Sequence, residues 1–552
     1  MASISPDTAA SVGVGPAPAV KKPKLHGRAF YESIGSPKYI VAPMVDQSEF
    51  AWRMLSRSFF PESERSKILA YSPMFHARMF RESDVYRDEH FQPTRPGSDV
   101  PWLDGNPAFD RPFFVQFCAN DPDHLLAAAK IVQPYCDAVD LNLGCPQNIA
   151  KKGRYGSFLQ EDQELIFKLI NTLHENLDIP VTAKIRILDT KEATLKYAQN
   201  VLRAGASILT VHGRRREQKG HLTGLADWEM IRYLRDNLPP DTVIFANGNI
   251  LQHEDIQKCL EVTGADGVMS AEGNLSNPGI FAPPPPIGQE PRGYWRGKNG
   301  LEGWRVDEVY RRYLDIIYEH VRGVEPPKRR PLFVPGDDTE WLKEEIIIPG
   351  QGPNDVRPNK KRNDVRRENP EILTANYVGM QPHLFHLLRH MVSRHHDVRD
   401  ALAKTRLGEL DAYEAICRLV EKKVAEGLLE YERTDGKSIE QDMPAALAEG
   451  ESEDDESSAQ TVRECWRPWW VVQPIVRPLP KEALAKGSIQ LSKKEKKRLA
   501  AEMADGEKED VEKTIKKLKE ENGVAAPALA TTAVTEALDE QTNGQSSAVA
   551  SG

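Results

Sequence analysis

The stretch VDLNLGCPQNIAKKGRYGSFL, Val139 to Leu159, decides the reading of this chain. It opens as a strand: Ala138, Val139, Leu141 and Leu143 are apolar, and Gly144 ends the run. The strand delivers Asn142 and Cys145 to its carboxyl end. Pro146 fixes its own φ and restricts Cys145, which blocks an immediate helix and holds the thiol on a stiff loop. Lys151, Lys152, Gly153, Arg154, Tyr155 and Gly156 then set cations beside bare backbone, a composition suited to a polyanion near a reactive cysteine. Taken singly, Cys145 reads as a buried strand cysteine ahead of an ordinary loop, because free cysteine is among the most buried residue types. The whole string is what points to chemistry.

Outward from this strand the pattern repeats. Tyr39–Val45, Ile68–Met74, Phe113–Phe117, Val181–Ile187, Ser207–His212, Val243–Asn247 and Gly267–Ser270 are short apolar runs. Helical periodicity covers Ser48–Phe60, Pro122–Gln133, Lys191–Ala204 and Trp228–Asp236 between them. Continuously apolar strands separated by amphipathic helices predict a parallel sheet buried on both faces. The eight units predict an α/β fold closed as a (β/α)8 barrel, the TIM-barrel arrangement. A doubly wound open sheet is the alternative, but no Gly-x-Gly-x-x-Gly follows the first strand.

In such a barrel, polar residues at the carboxyl ends of the strands converge on one site. Gln116, Asn142, Cys145, Lys184, Arg186, His212, Asn247 and Asn249 lie at or near those ends. Gln116 could instead cap a neighbouring strand, and His212 could be a satisfied core histidine. Lys184 is harder to dismiss: a lysine inside the apolar run VTAKIRI costs heavily unless it is paired. The turns Asn247-Gly248-Asn249 and Ala271-Glu272-Gly273 follow strands seven and eight, where barrels commonly bind phosphate.

The 552 residues carry a net charge of −9, with 28% charged and 40% hydrophobic residues, and the length holds two or more domains. No apolar run reaches the length of a bilayer span, and the first residues lack the apolar core of a secretory signal. Six cysteines are scattered without CxxC or Cys/His ligand spacing, so neither a metal nor a disulfide framework is expected. A reducing compartment, cytoplasmic or nuclear, follows. Acid is concentrated late, in EGESEDDESS from Glu449 to Ser458. Base clusters earlier, at Lys151–Lys152–Arg154, Arg214–Arg215–Arg216, Lys328–Arg329–Arg330, Lys360–Lys361–Arg362 and Arg366–Arg367. Each cluster alone reads as a solvated face; together they point to a nucleic acid, which responds to local patches and not to bulk charge.

Residues 1–36 read as a disordered arm rich in Ala, Pro, Ser and Val, and 37–323 as the barrel. Residues 324–369, rich in Pro and charge, read as an insertion or linker. Residues 370–432 read as a helical domain. His383, His386, Arg389, His390, Arg394, His395 and His396 lie along its first helix, as a face for a phosphate backbone or as a charged solvent face. Residues 433–552 read as a low-complexity, largely disordered tail. It is interrupted by an aromatic, proline-rich segment, 463–480, which packs back on the body or binds a partner. The basic run Lys493–Arg498 has the composition of a nuclear signal.

N-L-G-C-P, Asn142 to Pro146, followed by Q-N-I-A-K-K-G-R-Y-G-S-F-L resembles the tRNA-dihydrouridine synthase family, in the eukaryotic branch acting on D-loop uridines 16 and 17. The resemblance runs from about Pro37 to about Leu429 and departs from the family's compact form at Pro283–Pro286 and across 325–369. It implies an oxidoreductase that binds FMN over the barrel mouth and reduces a uracil ring in tRNA, with NADPH or NADH as reductant. It implies no membrane and no stable protein partner.

On that resemblance Pro43, Met44 and Val45 fall on the first flavin contact, and Gln116 on the amide at the isoalloxazine edge. Lys184 falls on the lysine near flavin N1, where a cation tunes the cofactor, and His212 on a flavin-side histidine. Asn247, Gly248, Asn249, Ala271 and Glu272 fall on the phosphate loops. Cys145 falls on the acid that protonates C5 of the uracil after hydride reaches C6. A thiol suits that role, since at an ordinary pKa of about 8.5 it is protonated at neutral pH. Asn142 and Arg186 are candidates to orient the ring or hold O4. The target base must leave its stack, and 370–432 would grip the tRNA elbow. Two rivals remain. An FMN barrel acting on a small pyrimidine, like dihydroorotate dehydrogenases, lacks the Q-N-I-A-K-K-G-R-Y-G string and needs no helical region after Pro370. A non-catalytic tRNA-binding protein needs no Cys145, Lys184 and His212 together.

Overall fold

Each apolar run pairs with the next in the sequence, and the last returns to the first. In the computed structural model, which describes residues 24–352, 362–444 and 458–485, the strands are β1 (Tyr39–Val41), β2 (Ile68–His76), β3 (Phe113–Cys118), β4 (Ala138–Leu143), β5 (Val181–Arg186), β6 (Ala206–His212), β7 (Val243–Asn247) and β8 (Gly267–Ser270). All pairings are parallel, and β1 closes on β8. The strands lack polar alternation because one face fills the barrel and the other lies under helices; every residue of β3 and β4 is buried. β1 stops at Val41, short of the expected Val45, because Pro43 has no N–H for a ladder.

Register decides what reaches the mouth. Arg186 pairs with His212, His212 with Asn247, and Asn247 with Met269, forming one tier. Asn142, Lys184 and Thr210 form the tier two residues beneath. Residues two apart share a face, so Lys184 stands directly under Arg186.

The opposite end is plugged, which corrects the expected arm. Residues 1–23 lie outside the described residues, but Gly27–Ser33 is a helix with Phe30 and Tyr31 buried. Phe30 stacks on Phe114 of β3, Tyr31 meets Phe245 of β7 edge-on, and the Tyr31 hydroxyl donates to Asp266 O. Two adjacent aromatics in an Ala/Pro-rich segment were the signal for this docking.

The helix after β1 runs Phe50–Arg57 and is wholly buried, with two arginines inside. Arg53 donates to Asp104 and Asp110 and to Ser48 O, and Arg57 donates to Arg65 O and Pro112 O. Charges so deep are tolerable only when paired and hydrogen-bonded. Arg57 Nε has no hydrogen-bond partner among the described residues and lies 3.9 Å from Asp110. Arg53 meets the requirement through Asp104 and Asp110, and it locks Ser48, the end of the Met44–Ser48 turn, to the barrel. The helical region attaches to that same turn. Its helices are Ala375–Leu387, Arg389–Val392, His396–Lys404 and Leu410–Arg433, so the His/Arg run is broken and does not form one face. Asn376 Oδ1 accepts from Ala51 N–H at 2.9 Å, filling an orphan donor of the Phe50 helix. His383 Nε2 is 3.0 Å from both oxygens of Glu49, and its ring stacks on Trp52 at 4.1 Å. His383 is thus a core residue and not a phosphate contact.

Residues 324–352 follow the surface with little regular structure but are well tied. Arg329 pairs with Asp315 and Glu414, and Arg330 stacks on Trp341 at 3.9 Å. Arg329 and Arg330 of the basic cluster there are structural, while Lys328 is exposed, and Arg366 is likewise held by Glu89. Lys360 and Lys361, the acidic run before Ser458 and the Lys493–Arg498 run lie outside the described residues. The aromatic segment packs back on the body. Trp470, Val471 and Val472 are buried, and the segment runs beside the hairpin Tyr294–Arg296/Glu302–Trp304, with Val472 N–H donating to Trp304 O. Among the described residues no helix is long and apolar enough to cross a membrane.

Removing one partner from a buried, hydrogen-bonded pair leaves the other uncompensated. His383→Ala should therefore cost about 3 kcal/mol in urea unfolding. A loss under about 1 kcal/mol would show that the helical region does not depend on this anchor.

Candidate active site

The site grows from a hydrogen-bond chain across the barrel interior. Thr182 Oγ1 donates to Asp140 Oδ1 at 2.6 Å, and Gln116 Nε2 donates to Asp140 Oδ2 at 2.8 Å. That fixes the Gln116 amide, whose oxygen accepts from Asn142 Nδ2 at 2.8 Å. Asn142 Oδ1 in turn accepts from the N–H groups of Gly144, at 3.1 Å, and Cys145, at 2.8 Å. The loop bearing the thiol is thus oriented from the floor of the barrel. Its far side is held as well: Cys145 O accepts from Ser157 N–H and Oγ at 3.1 and 2.9 Å. Gly156, at φ +64°, passes so close that a Cβ there would lie 2.8 Å from Cys145 O. Cys145 is half-buried, beside a small cluster of Cys118, Ala150 and Tyr155. A helix, Asn148–Gly153, does form two residues beyond Pro146, and it carries Lys151 and Lys152 exposed on the surface.

Beside the thiol loop runs a buried row of positive groups. Lys184 Nζ donates to Asn247 Oδ1 at 2.9 Å, a neutral acceptor. Burial, then the charge of Arg186, lowers its amine to about 7, with Asp140 and Cys145 opposing. Arg186 donates to Gly144 O at 2.8 Å and to Arg215 O at 2.9 Å. Burial and then Arg214 lower its guanidinium to about 10. Burial, with Arg186, Lys184 and Arg214, pushes His212 well below its usual value, so the imidazole is neutral. Arg214 Nη1 lies 3.1 Å from His212 Nε2, and Nη2 donates to Asn249 Oδ1 at 2.7 Å.

Arg186, His212, Asn247, Gly248, Asn249, Ala271 and Glu272 share the wall of one cavity of about 470 Å³. Gly248, at φ +120°, lies where a Cβ would be 2.6 Å from Ala226, and Asn249 also adopts positive φ. Lys219, from the loop after β6, donates to Pro146 O at 2.7 Å and joins this cavity to the thiol loop. Pro43, Met44, Val45, Gln116, Asn142, Cys145 and Lys184 lie at the same end of the barrel but outside that cavity's lining. Val45 is 54% exposed, while Gln116 is fully buried and committed to Asp140 and Asn142.

Reasoning from sequence missed Asp140, although the argument used for Lys184 applied to it: a carboxyl inside the apolar run AVDLNL needs a reason. Burial raises Asp140 to about 6 against the pull of Thr182, Gln116 and Lys184. It also counted Arg214 only as one of a basic cluster. Arg215 and Arg216 of that cluster pair with Asp189 and Glu161, and Arg214 alone of the three lines the cavity.

A closed parallel barrel with a cationic cavity and a held thiol at its carboxyl mouth defines an enzyme-like scaffold for an anionic ligand. Residues 40–289 match the family described as dihydrouridine synthase. The tRNA-dihydrouridine(16/17) synthase [NAD(P)(+)] of Saccharomyces cerevisiae is 57% identical over 296 residues, covering 54% of this chain and 64% of that protein. Its namesake in Schizosaccharomyces pombe is 42% identical over 463 residues, covering 83% of this chain and 92% of that protein. The rat protein named tRNA-dihydrouridine(16/17) synthase [NAD(P)(+)]-like is 45% identical over 299 residues, or 54% of this chain and 60% of that one. The match thus spans under two thirds of the budding-yeast and rat proteins and nearly all of the fission-yeast one. The chain belongs to the dihydrouridine synthase family.

Because folding raises Asp140 from 3.8 to about 6, its protonated form favours the fold. That contribution is complete at low pH and is lost as pH rises through about 6. Relative to Asp140→Asn, the parent should therefore lose about 3 kcal/mol of stability between pH 4 and 7. A pH-independent difference between the two in urea unfolding would mean that the carboxyl is not buried as described.

Proposed function

We propose that this protein reduces uridines 16 and 17 of tRNA to 5,6-dihydrouridine, with FMN at the barrel mouth and NAD(P)H as reductant. The observation that carries the proposal is the row of basic groups Lys184, Arg186 and Arg214, with the neutral His212 among them, beside a half-buried thiol. Arg186 lowers Lys184 and Arg214 lowers Arg186, and among the described residues Glu272 is the one carboxylate in the cavity wall. Such a row is incomplete without an anion. FMN fits it: Gly248 and Asn249 present backbone at a close-approach turn beside Arg214 for the phosphate, and Lys184 stands toward the centre of the barrel for the ring system. The chemistry FMN supplies when bound is a hydride, taken from NAD(P)H and given to uracil C6.

The remaining steps belong to the chain's own side chains. Hydride addition leaves negative charge on C5 and O4 of the uracil. Cys145 Sγ–H delivers the proton to C5, and solvent restores it. Asn142 contributes by holding the Cys145 N–H, and so the thiol, in one place. Arg186 holds Gly144 O from the opposite side and presents its charge near the developing enolate. The hydrogen bonds made by Gln116 to Asp140 and Asn142 support a role in positioning the loop through Asn142.

The tRNA must deliver a flipped base to this mouth. Lys151, Lys152 and Arg154 are exposed on the thiol loop, and no ion pair holds them among the described residues. They replace Arg329, Arg330 and Arg366 as the first candidates for phosphate contact. The helical region from Pro370, anchored at Glu49, is the second.

Cys145→Ala should still bind FMN and reduce it with NADPH at near the parental rate. It should lose about 10²–10⁴-fold in single-turnover reoxidation by tRNA lacking dihydrouridine, the usual worth of a placed general acid. Parental reoxidation and normal product would reduce Cys145 to a loop cysteine. Replacing Lys151, Lys152 and Arg154 with alanine should flatten the salt dependence of tRNA affinity, since fewer counterions are then released. An unchanged slope would place the RNA elsewhere.

A further inference from the structure

The segment from Ser458 to Leu479 lies outside the residues that match the family, yet it builds one wall of the cationic cavity. Ser458, Thr461 and Ile475 to Leu479 line it together with the turns after β7 and β8. This wall is fastened at several points. Trp470 O accepts from Val306 N–H and Trp304 O from Val472 N–H, each at 2.9 Å. Ser458 Oγ donates to Glu482 at 2.6 Å, tying the two ends of the segment together.

Arg477 is the one charged residue that this wall adds to the cavity lining. Its Nε and Nη2 donate to the Glu272 carboxylate at 3.0 and 2.6 Å. Among the described residues its Nη1 has no hydrogen-bond partner. Its charge reaches Arg214, whose guanidinium burial lowers to about 10, with Glu272 raising it and Arg477 lowering it further. The lining thus holds Arg186, Arg214, Lys219 and Arg477 against a single carboxylate. A guanidinium fork can engage a carboxylate with one edge and a phosphate with the other.

We propose that Arg477 is a ligand of the cofactor phosphate: Glu272 holds two of its nitrogens and leaves Nη1 to a phosphate oxygen at the Gly248–Asn249 turn. The proposal rests on the FMN reading above and extends it to a part of the chain beyond the barrel. The cofactor is favoured over an RNA phosphate because Gly248 and Arg214 line the same cavity. There the backbone is bare, and an added Cβ would lie 3.3 Å from Arg214 Nη1.

The test uses the full chain, stripped of flavin, with FMN and riboflavin as probes in fluorescence titrations. Arg477→Gln should weaken FMN on the order of tenfold, as expected for a charge-assisted hydrogen bond, and leave riboflavin within twofold. Arg477→Lys should recover part of the loss. Glu272→Gln should weaken FMN by less than Arg477→Gln does, because it loosens the guanidinium without removing it. Equal FMN affinity in parent and Arg477→Gln would overturn the proposal while leaving FMN binding itself intact. Equal weakening of FMN and riboflavin would also overturn it, by showing a packing role for the wall. So would a loss confined to tRNA affinity. A parent chain that binds neither flavin would overturn the functional reading as well.

Discussion

Lys184 stands inside a closed barrel with a neutral amide oxygen, Asn247 Oδ1, as its hydrogen-bond partner. Its environment must therefore do without a local counter-ion in contact, and burial lowers the amine to about 7. Much of the mouth can be read as a response to that constraint. Asp140 supplies negative charge in the adjacent strand but is itself raised to about 6, so neither group is fully charged at its own expense. Arg186 and Arg214 continue the row outward: Arg214 lowers Arg186, Arg186 lowers Lys184, and all three hold His212 neutral. The free protein thus carries an electrostatic debt that an anionic ligand would remove, and the rigid barrel prevents the cations from relaxing apart.

The helical region is coupled to the same site through short covalent distances. Glu49, which anchors His383, follows the Met44–Val45 turn by only a few residues, and Ser48 Oγ accepts from Met44 N–H at 3.0 Å. Arg53 holds that turn from below through Ser48 O. A shift of the helical region would thus act first on the residues proposed to touch the flavin. The helical region and the Met44–Val45 turn are thus tied through one small set of backbone atoms.

The barrel was legible in the sequence because its signal is local: eight apolar runs, each short and unalternating. Strand limits were accurate where polarity changed abruptly, as at Val243–Asn247, and poor where a proline ended pairing early, as at Pro43. The mouth residues were legible because polar groups at strand ends stand out against apolar runs. What escaped were contacts made at long sequence separation. Nothing near Arg329 announces Glu414, and nothing near His383 announces Glu49, so structural cations and a core histidine looked like RNA contacts. The docking of Phe30 and Tyr31 escaped for the same reason, since low-complexity surroundings mask short anchoring motifs; the packing of 463–480 was legible from its aromatics, but not the contact of Arg477 with Glu272.

The position of that strap in the chain has a consequence for how the protein is made. All other walls of the cavity come from residues between Pro146 and Gly273, whereas the strap begins at Ser458. During synthesis the barrel can close with its cavity still open on one side, long before Arg477 has been translated. A cofactor arriving at that stage meets a wide, shallow cationic shelf; one arriving after the strap has docked must pass a wall already fastened to Trp304 and Val306. The order of translation thus separates an early form of the site without this wall from a late form with it, and the loading of a ligand there becomes an event with a place in the history of each molecule.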